Sequence, residues 1–513
     1  MAGRAVTLIA GGLAAAIILL LLAPLAALGL RLGAFSLAPS DLAAIRFTVT
    51  QAAISALLSV VLAVPVARAL ARRRFMGRGL LVTLLGAPFL LPTIVAILGL
   101  LAVFGRAGWV NQGLGALDLP QVPIYGLHGV VLAHVFFNLP LAVRLILLGW
   151  QGIPAERFRL AASLGFTPRD LFRHIEGPML REVLPGVALV IFTICLTSFA
   201  VALTLGGGPS ATTVELAIYQ ALRFDFDLPA AARLALVQFL LCALAFGLAG
   251  RITRTVGFGA GLDRAEGPPG PAGLARMIDA GAIALMAGFL LLPLTAVVLR
   301  GLPGLGSLPP SVCQAALRSI LVALCSTALT MAVALTLALA AARTPRGWPG
   351  LVATLPLASS SLVLGTGLFL IVQPFVRPAD LALPVTMLVN AFLALPFAYR
   401  ILAPDARALE ADFGRLARSL DMPGLARLRL VILPRLARPL GFAAGICAAF
   451  SMGDLGVIAL FATEREPTLP LLVQQLMGSF RTQSAASAAL VLVTLSFGLF
   501  WIFDQWGRRH AAT

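Results

Sequence analysis

The stretch PAERFRLAASLGFTPRDLFRHIEGPMLREVLP, Pro154 to Pro185, is a polar, arginine-rich island between two apolar runs. A second island, RALEADFGRLARSLDMPGLARLRLVILPRLARP, runs from Arg407 to Pro439. Laid over each other, R-L-A-(A/R)-S-L-(G/D) falls at Arg159–Gly165 and at Arg415–Asp421. Ile175 and Pro178 then fall on Val431 and Pro434, again 256 residues apart. Upstream, Pro140 and Arg144 match Pro396 and Arg400 at the same offset, and downstream Leu216 and Gln220 match Leu471 and Gln475 at 255. One unit, almost half the chain long, is used twice, and each copy carries a charged helical segment that cannot lie in hydrocarbon.

The rest of the chain is built for hydrocarbon. Hydrophobic residues make up 60% and charged residues 12%, with a mean hydropathy of +0.99. A water-soluble domain has no interior large enough for that excess, so this is a polytopic membrane protein. Backbone groups must pair internally in lipid, which leaves helices or a closed barrel. Long apolar runs, rather than alternating short ones, select helices of about 20 residues. Such runs fall near 5–30, 48–70, 80–104, 128–150, 184–206 and 233–252, then near 277–299, 313–342, 349–376, 382–403, 439–461 and 485–505. The expected fold is therefore all-α, with twelve spans in two six-helix halves, 1–255 and 277–513, joined by a Gly- and Pro-rich linker at 256–276.

The formal charge of +17 does not indicate nucleic acid, because the arginines are scattered through short inter-span loops. Arg68, Arg72, Arg73, Arg74 and Arg78, both islands, the linker, Arg343, Arg346 and Arg508–Arg509 all fall on one side. Basic loops stay in the cytoplasm, so both islands and both termini are expected there. Every basic residue is arginine, which excludes a lysine-dependent phosphate loop in this chain. No HExxH pattern, no clustered Cys/His ligands and no acid–base pair within the spans appears, so neither catalysis nor a metal site is expected. The five cysteines lie in or beside apolar runs and form no disulfide framework.

Within the first island, Leu160, Ala161 and Leu164 read as one apolar face, Gly165 as a turn and Pro168 as the start of a second helix. Leu416, Ala417 and Leu420 repeat the face, with Asp421 in place of the glycine. Arg157, Arg159, Arg169 and Arg173 are expected to face water. A short helix closed by a tight turn makes a knob that fits a groove on a partner.

The islands resemble the "EAA" loops of ATP-binding-cassette importer permeases, whose pattern is E-A-A-x3-G-x9-I-x-L-P. The matching positions are Arg159, Leu160, Ala161, Gly165, Ile175 and Pro178, then Arg415, Leu416, Ala417, Asp421, Val431 and Pro434; the glutamate is absent from both copies. Outside the islands, SFAVALTLGGGPSATTVELAIYQALRFDFD (198–227) and SMGDLGVIALF (451–461) are similar to bacterial thiamine permeases. The resemblance implies a type I importer fold in the bacterial inner membrane, moving thiamine, and its phosphates, into the cytoplasm. It further implies two copies of a cytoplasmic ATPase that hold ATP and Mg, with no cofactor on this chain, and a periplasmic binding protein. A ferric-iron importer of the same architecture is the alternative. A self-sufficient secondary transporter would need several buried coupling carboxylates and no islands.

A cationic cargo makes carboxylates near the path worth locating. Asp454 stands near the outer part of the eleventh span, either on the path or as a helix cap or interhelix hydrogen-bonding group. Glu215, Asp225 and Asp227 stand in the loop after the fifth span, where they are either solvated or meet the cargo or binding protein. Pro92, Pro140, Pro356 and Pro396 are candidate kinks. Asn138 and Asn390 are expected to bond between helices, and His134 to pack.

Overall fold

The computed structural model describes residues 2–32, 36–86, 90–208, 211–252, 273–344, 347–422, 424–462 and 466–511. The expected linker lies outside these up to residue 272. All regular elements among the described residues are helical. The first half contains α1 (Ala2–Leu30), α2 (Pro39–Arg72), α3 (Arg78–Leu84), α4 (Thr93–Phe104), α5 (Trp109–Ala116), α6 (Leu127–Gln151), α7 (Ala155–Ser163), α8 (Pro168–Leu171), α9 (Gly177–Leu196), α10 (Phe199–Leu205), α11 (Val214–Arg223) and α12 (Leu228–Ile252). The second contains α13 (Leu274–Gly301), α14 (Pro310–Arg343), α15 (Trp348–Thr354), α16 (Ser361–Val372), α17 (Ala382–Ser419), α18 (Gly424–Arg427), α19 (Leu433–Gly453), α20 (Gly456–Phe461), α21 (Leu469–Gly478) and α22 (Thr482–His510). Among the described residues eleven helical segments are long and apolar enough to cross a membrane. The pair Trp348–Ala358 and Ser361–Val372, bent by 87°, is a twelfth if taken as one span.

Several elements of the two halves correspond. Helices α2 and α14 are both 34 residues long, and α11 and α21 both ten. The first N–H of α11, on Val214, donates to Thr48 Oγ1 of α2 at 2.9 Å; that of α21, on Leu469, donates to Ser319 Oγ of α14 at 2.8 Å. Helix N-termini leave such donors without intrahelical partners, and buried ones must be satisfied from outside. Breaks recur too: α4 starts after Pro92, its N-cap, and α16 after Ser360. Ser198 separates α9 from α10, and Asp454 with Leu455 separates α19 from α20. Pro140 and Pro396 lie inside α6 and α17, while Pro356 lies in a 3-10 turn.

The first span of each half crosses to the other half. Helix α1 packs on α14 and α16, and α13 packs on α2 and α4. Each crossing is seated on a glycine. A Cβ on Gly99 of α4 would lie 2.5 Å from the carbonyl oxygen of Pro293 in α13, and one on Gly367 of α16 would lie 2.7 Å from that of Pro24 in α1. Gly441 and Gly445 of α19 admit the backbone of α22 in the same manner, opposite Gly507 and Phe500. Small residues allow the close approach on which helix association in lipid depends.

Ion pairs place the islands at one end of the bundle. Arg73 Nε donates to Asp279 Oδ2 at 2.7 Å and Arg72 Nε to the same oxygen at 2.9 Å, tying the end of α2 to the start of α13. Arg68 of α2 meets Glu176 of the first island at 2.8 Å. Helices α13 and α14 then run out and back, and Arg343 at the end of α14 meets Glu410 of the second island at 3.2 Å.

Candidate functional site: the two islands and the serine bend

Each island turns on the same backbone device. Leu164, Gly165 and Phe166 N–H donate to the carbonyls of Leu160, Ala162 and Ala161 at 3.0, 3.1 and 3.0 Å. Leu420, Asp421 and Met422 donate to those of Leu416, Arg418 and Ala417, each at 3.1 Å. This closure places Gly165 at φ +64° and Asp421 at φ +42°, the left-handed region that ends helices. Glycine takes it freely; aspartate is one of the few side chains that tolerate it. We expect Asp421→Gly to stabilise the turn and Gly165→Val to weaken it, each by about 1 kcal/mol. Thermal unfolding of the two variants in detergent checks the opposite signs.

Beyond the turn, Thr167 and Asp170 cap α8 reciprocally: Thr167 N–H donates to Asp170 Oδ2 at 3.1 Å, and Asp170 N–H to Thr167 Oγ1 at 3.3 Å. The chain then makes one π-turn, Phe172–Glu176, and its counterpart is Leu428–Ile432, 256 residues on. Neither was visible in residue types, since an i→i+5 turn has no composition of its own. The copies differ at their entry. Gly152 and Pro154 interrupt the first between α6 and α7, whereas Glu410 stands where Pro154 does and α17 runs unbroken for 38 residues. Glu410 is held by both Arg343 and Arg427.

The expected single apolar face of each knob is corrected. Consecutive helical residues point about 100° apart, so Ala161 and Ala417 turn inward and are buried, while Leu160 and Leu416 are 60% and 53% exposed. Leu164 and Leu420 project outward with them. Arg157, Arg159, Arg169, Arg173 and Arg415 are exposed, Ile175 and Val431 half-buried, Pro178 exposed and Pro434 half-buried. Each knob therefore presents an exposed leucine pair ringed by arginines.

At the opposite end, the carboxylates that the sequence grouped are separated. Asp225 is exposed, and Asp227 is exposed and accepts from Ala230 N–H at 2.9 Å, capping α12. Glu215, by contrast, is fully buried. Glu215 is the second residue of α11, and it is packed inside the bundle rather than in a loop. Neither Glu215 oxygen completes a hydrogen bond. Burial pushes its carboxyl up to about 7, with Ser360 and Gln238 beside it acting in the other direction. Gln238 donates to Leu196 O at 2.8 Å, but its own Oε1 is unpartnered, as is Ser359 Oγ. These serines form the 87° bend ahead of α16. Sequence reasoning missed Ser359, Ser360 and Gln238; a serine triplet inside an apolar run was the available signal.

Asp454 approaches the same bend. Its Oδ1 accepts from Gly456 N–H at 3.3 Å, capping α20, and its Oδ2 is buried without a partner. A Cβ on Gly456 would overlap Ser361 Oγ, and one on Gly453 would lie 3.1 Å from Pro92 Cα. Asp454 thus stands between the broken third spans of both halves. Asn138 donates to His134 O at 2.8 Å, Asn390 to Ser451 Oγ at 3.0 Å, and His134 is buried beside Ser55.

Two matched sets of spans, strapped by crossed first helices and carrying one knob each at the same end, define a multi-pass membrane permease. The chain is 41% identical over 483 residues to the thiamine transport system permease protein ThiP of Salmonella typhimurium, covering 91% of this chain and 90% of that protein. The Escherichia coli protein of the same name is 40% identical over 485 residues, with the same coverage. The sulfate transport system permease protein CysT of Salmonella typhimurium matches 43% of this chain at 32% identity, over 82% of its own length. No family model matches. The chain belongs to the family of thiamine transport system permease proteins; it is a transporter subunit and not an enzyme.

Proposed function

We propose that the chain is the membrane-spanning subunit of an ATP-driven importer that moves thiamine, and its phosphates, into the cytoplasm. Identity above 40% across nine-tenths of both chains to a permease named for thiamine carries this reading. Nothing favours the ferric-iron alternative, which we drop.

In this reading the islands face the cytoplasm and each docks in a groove of one copy of an ATPase, where ATP and Mg are held. The segments 159–178 and 415–434 transmit closure of the ATPase pair. The leucine pairs enter the grooves, and Arg68–Glu176 and Arg343–Glu410 carry the push into α2 and α14. A buried or half-buried ion pair resists being pulled apart, because separation strands a charge. The halves then rock as rigid bodies and expose the path to alternate sides. A periplasmic binding protein delivers cargo at the opposite end, where Asp225 and Asp227 are exposed and Glu215 and Asp454 lie deeper.

Reconstitution tests this. Proteoliposomes holding the chain, its ATPase and its binding protein are expected to accumulate labelled thiamine only with ATP. Accumulation without the ATPase, or of ferric iron but not thiamine, would overturn the reading.

A further inference from the structure

Glu215 is the anomaly of the fold. Four carboxylic residues are buried among the described residues. Asp41 accepts from Ala38 N–H, Glu176 meets Arg68, and Asp279 meets Arg72 and Arg73. Glu215 alone of the four has neither a cation nor a completed hydrogen bond. An uncompensated buried polar group opposes folding, and in a membrane protein such a group marks function more often than packing.

Its position says which function. Helix α11 rests on α2 and α12 of its own half and on α16 and α20 of the other. It lies at the end away from the islands, and Arg223 at its C-terminal end donates to Ala462 O of the second half at 3.0 Å. Glu215 is therefore sealed at a seam between halves, with Gln238 from its own side and Ser360 from the opposite side. In the rocking proposed above, parting of the halves withdraws Ser360 and admits water, to which the carboxyl gives up its proton. The repeat does not duplicate this charge: the equivalent position, one residue into α21, is Pro470. One unpaired carboxylate, exposed only in the parted state, matches a cargo with one fixed positive charge.

We propose that Glu215, with Gln238 and Ser360, forms an organic-cation site at the seam away from the islands, open only when the halves part, that receives the cargo's positive charge as it leaves the binding protein. The proposal rests on the thiamine reading for the identity of that cargo. Glu215 binds the cation as a carboxylate when the seam opens; as the seam reseals against Ser360 it takes a proton back from the departing water, becomes the neutral acid and releases the cation onward. No covalent step is involved.

The test uses the full complex in proteoliposomes with labelled thiamine. Glu215→Gln keeps the shape and removes the charge. It is expected to raise the KM for binding-protein-delivered thiamine about tenfold or more, the effect of one lost contact to a charge. Glu215→Asp, which keeps the charge, is expected to stay within about threefold of the parent. Excess neutral thiochrome should compete no better in the parent than in Glu215→Gln, whereas excess unlabelled thiamine should compete less well in the variant. An unchanged KM in Glu215→Gln, or an equal rise in Glu215→Asp, overturns the proposal. Absence of thiamine uptake by the parent complex instead overturns the thiamine reading, so the two failures are distinct.

Discussion

Leu160→Glu and Leu416→Glu, made singly, are expected to cut ATP-driven thiamine uptake by about thirtyfold, the effect of removing an interface anchor worth about 2 kcal/mol. Both side chains are more than half exposed, so neither substitution opens a cavity or strands a buried group. Changes at such surface positions ordinarily move stability by less than about 0.5 kcal/mol. In this reading the leucine fills an apolar recess on the ATPase, and glutamate there is desolvated without a partner. Uptake and co-purification of the ATPase should fall together while the amount of folded permease stays constant. Ala161 and Ala417 give the contrasting case: they are buried, so a bulky residue there should lower the yield of folded protein first. Full coupling in both leucine variants would remove the knobs from the mechanism.

The largest structural effect is expected at the crossings of the first spans. Gly99→Leu would place a Cβ 2.5 Å from the Pro293 carbonyl oxygen, and Gly367→Leu meets Pro24 in the same manner. The opposing atoms include backbone, which cannot swing aside as a side chain would, so the helices must separate. Overpacking of this kind costs about 1–3 kcal/mol or more. Each variant should lose most of its monodisperse protein, or melt several degrees lower. Gly288→Leu, in α13 but with open space around its Cβ, is the control and should behave as the parent. Equal stability of Gly99→Leu and Gly288→Leu would mean that the crossing is not held as described.

What could be read in the chain follows from which forces are local. The spans were legible because hydropathy over twenty residues is a local sum, and the observed helices fall on all twelve expected runs. The turn at Gly165 was legible because a left-handed residue needs a particular side chain. Its survival at Asp421 needed the structure, since aspartate has many other uses. The burial of Glu215 was not legible: α11 is ten residues long, and what seals its second residue is Ser360, far along the chain and in the other half. The inward turn of Ala161 was legible in principle, because its 100° offset from Leu160 is fixed by helix geometry. The crossing of α1 and α13 had no local sign, since Gly99 and Gly367 look like any glycine in an apolar helix.

The exchange of first spans bears on how the chain is made. Helix α1 leaves the ribosome well before α16, and its seat there is completed only by residues 361–372. Until α13 is made, the first half also lacks the helix that covers α4. That cover, α13, comes from the next half to be synthesised. Assembly therefore cannot proceed one domain at a time, as in most long chains. Truncation anywhere before Val372 leaves a docking surface without its helix, so quality control in the membrane has a defined signal of incompleteness.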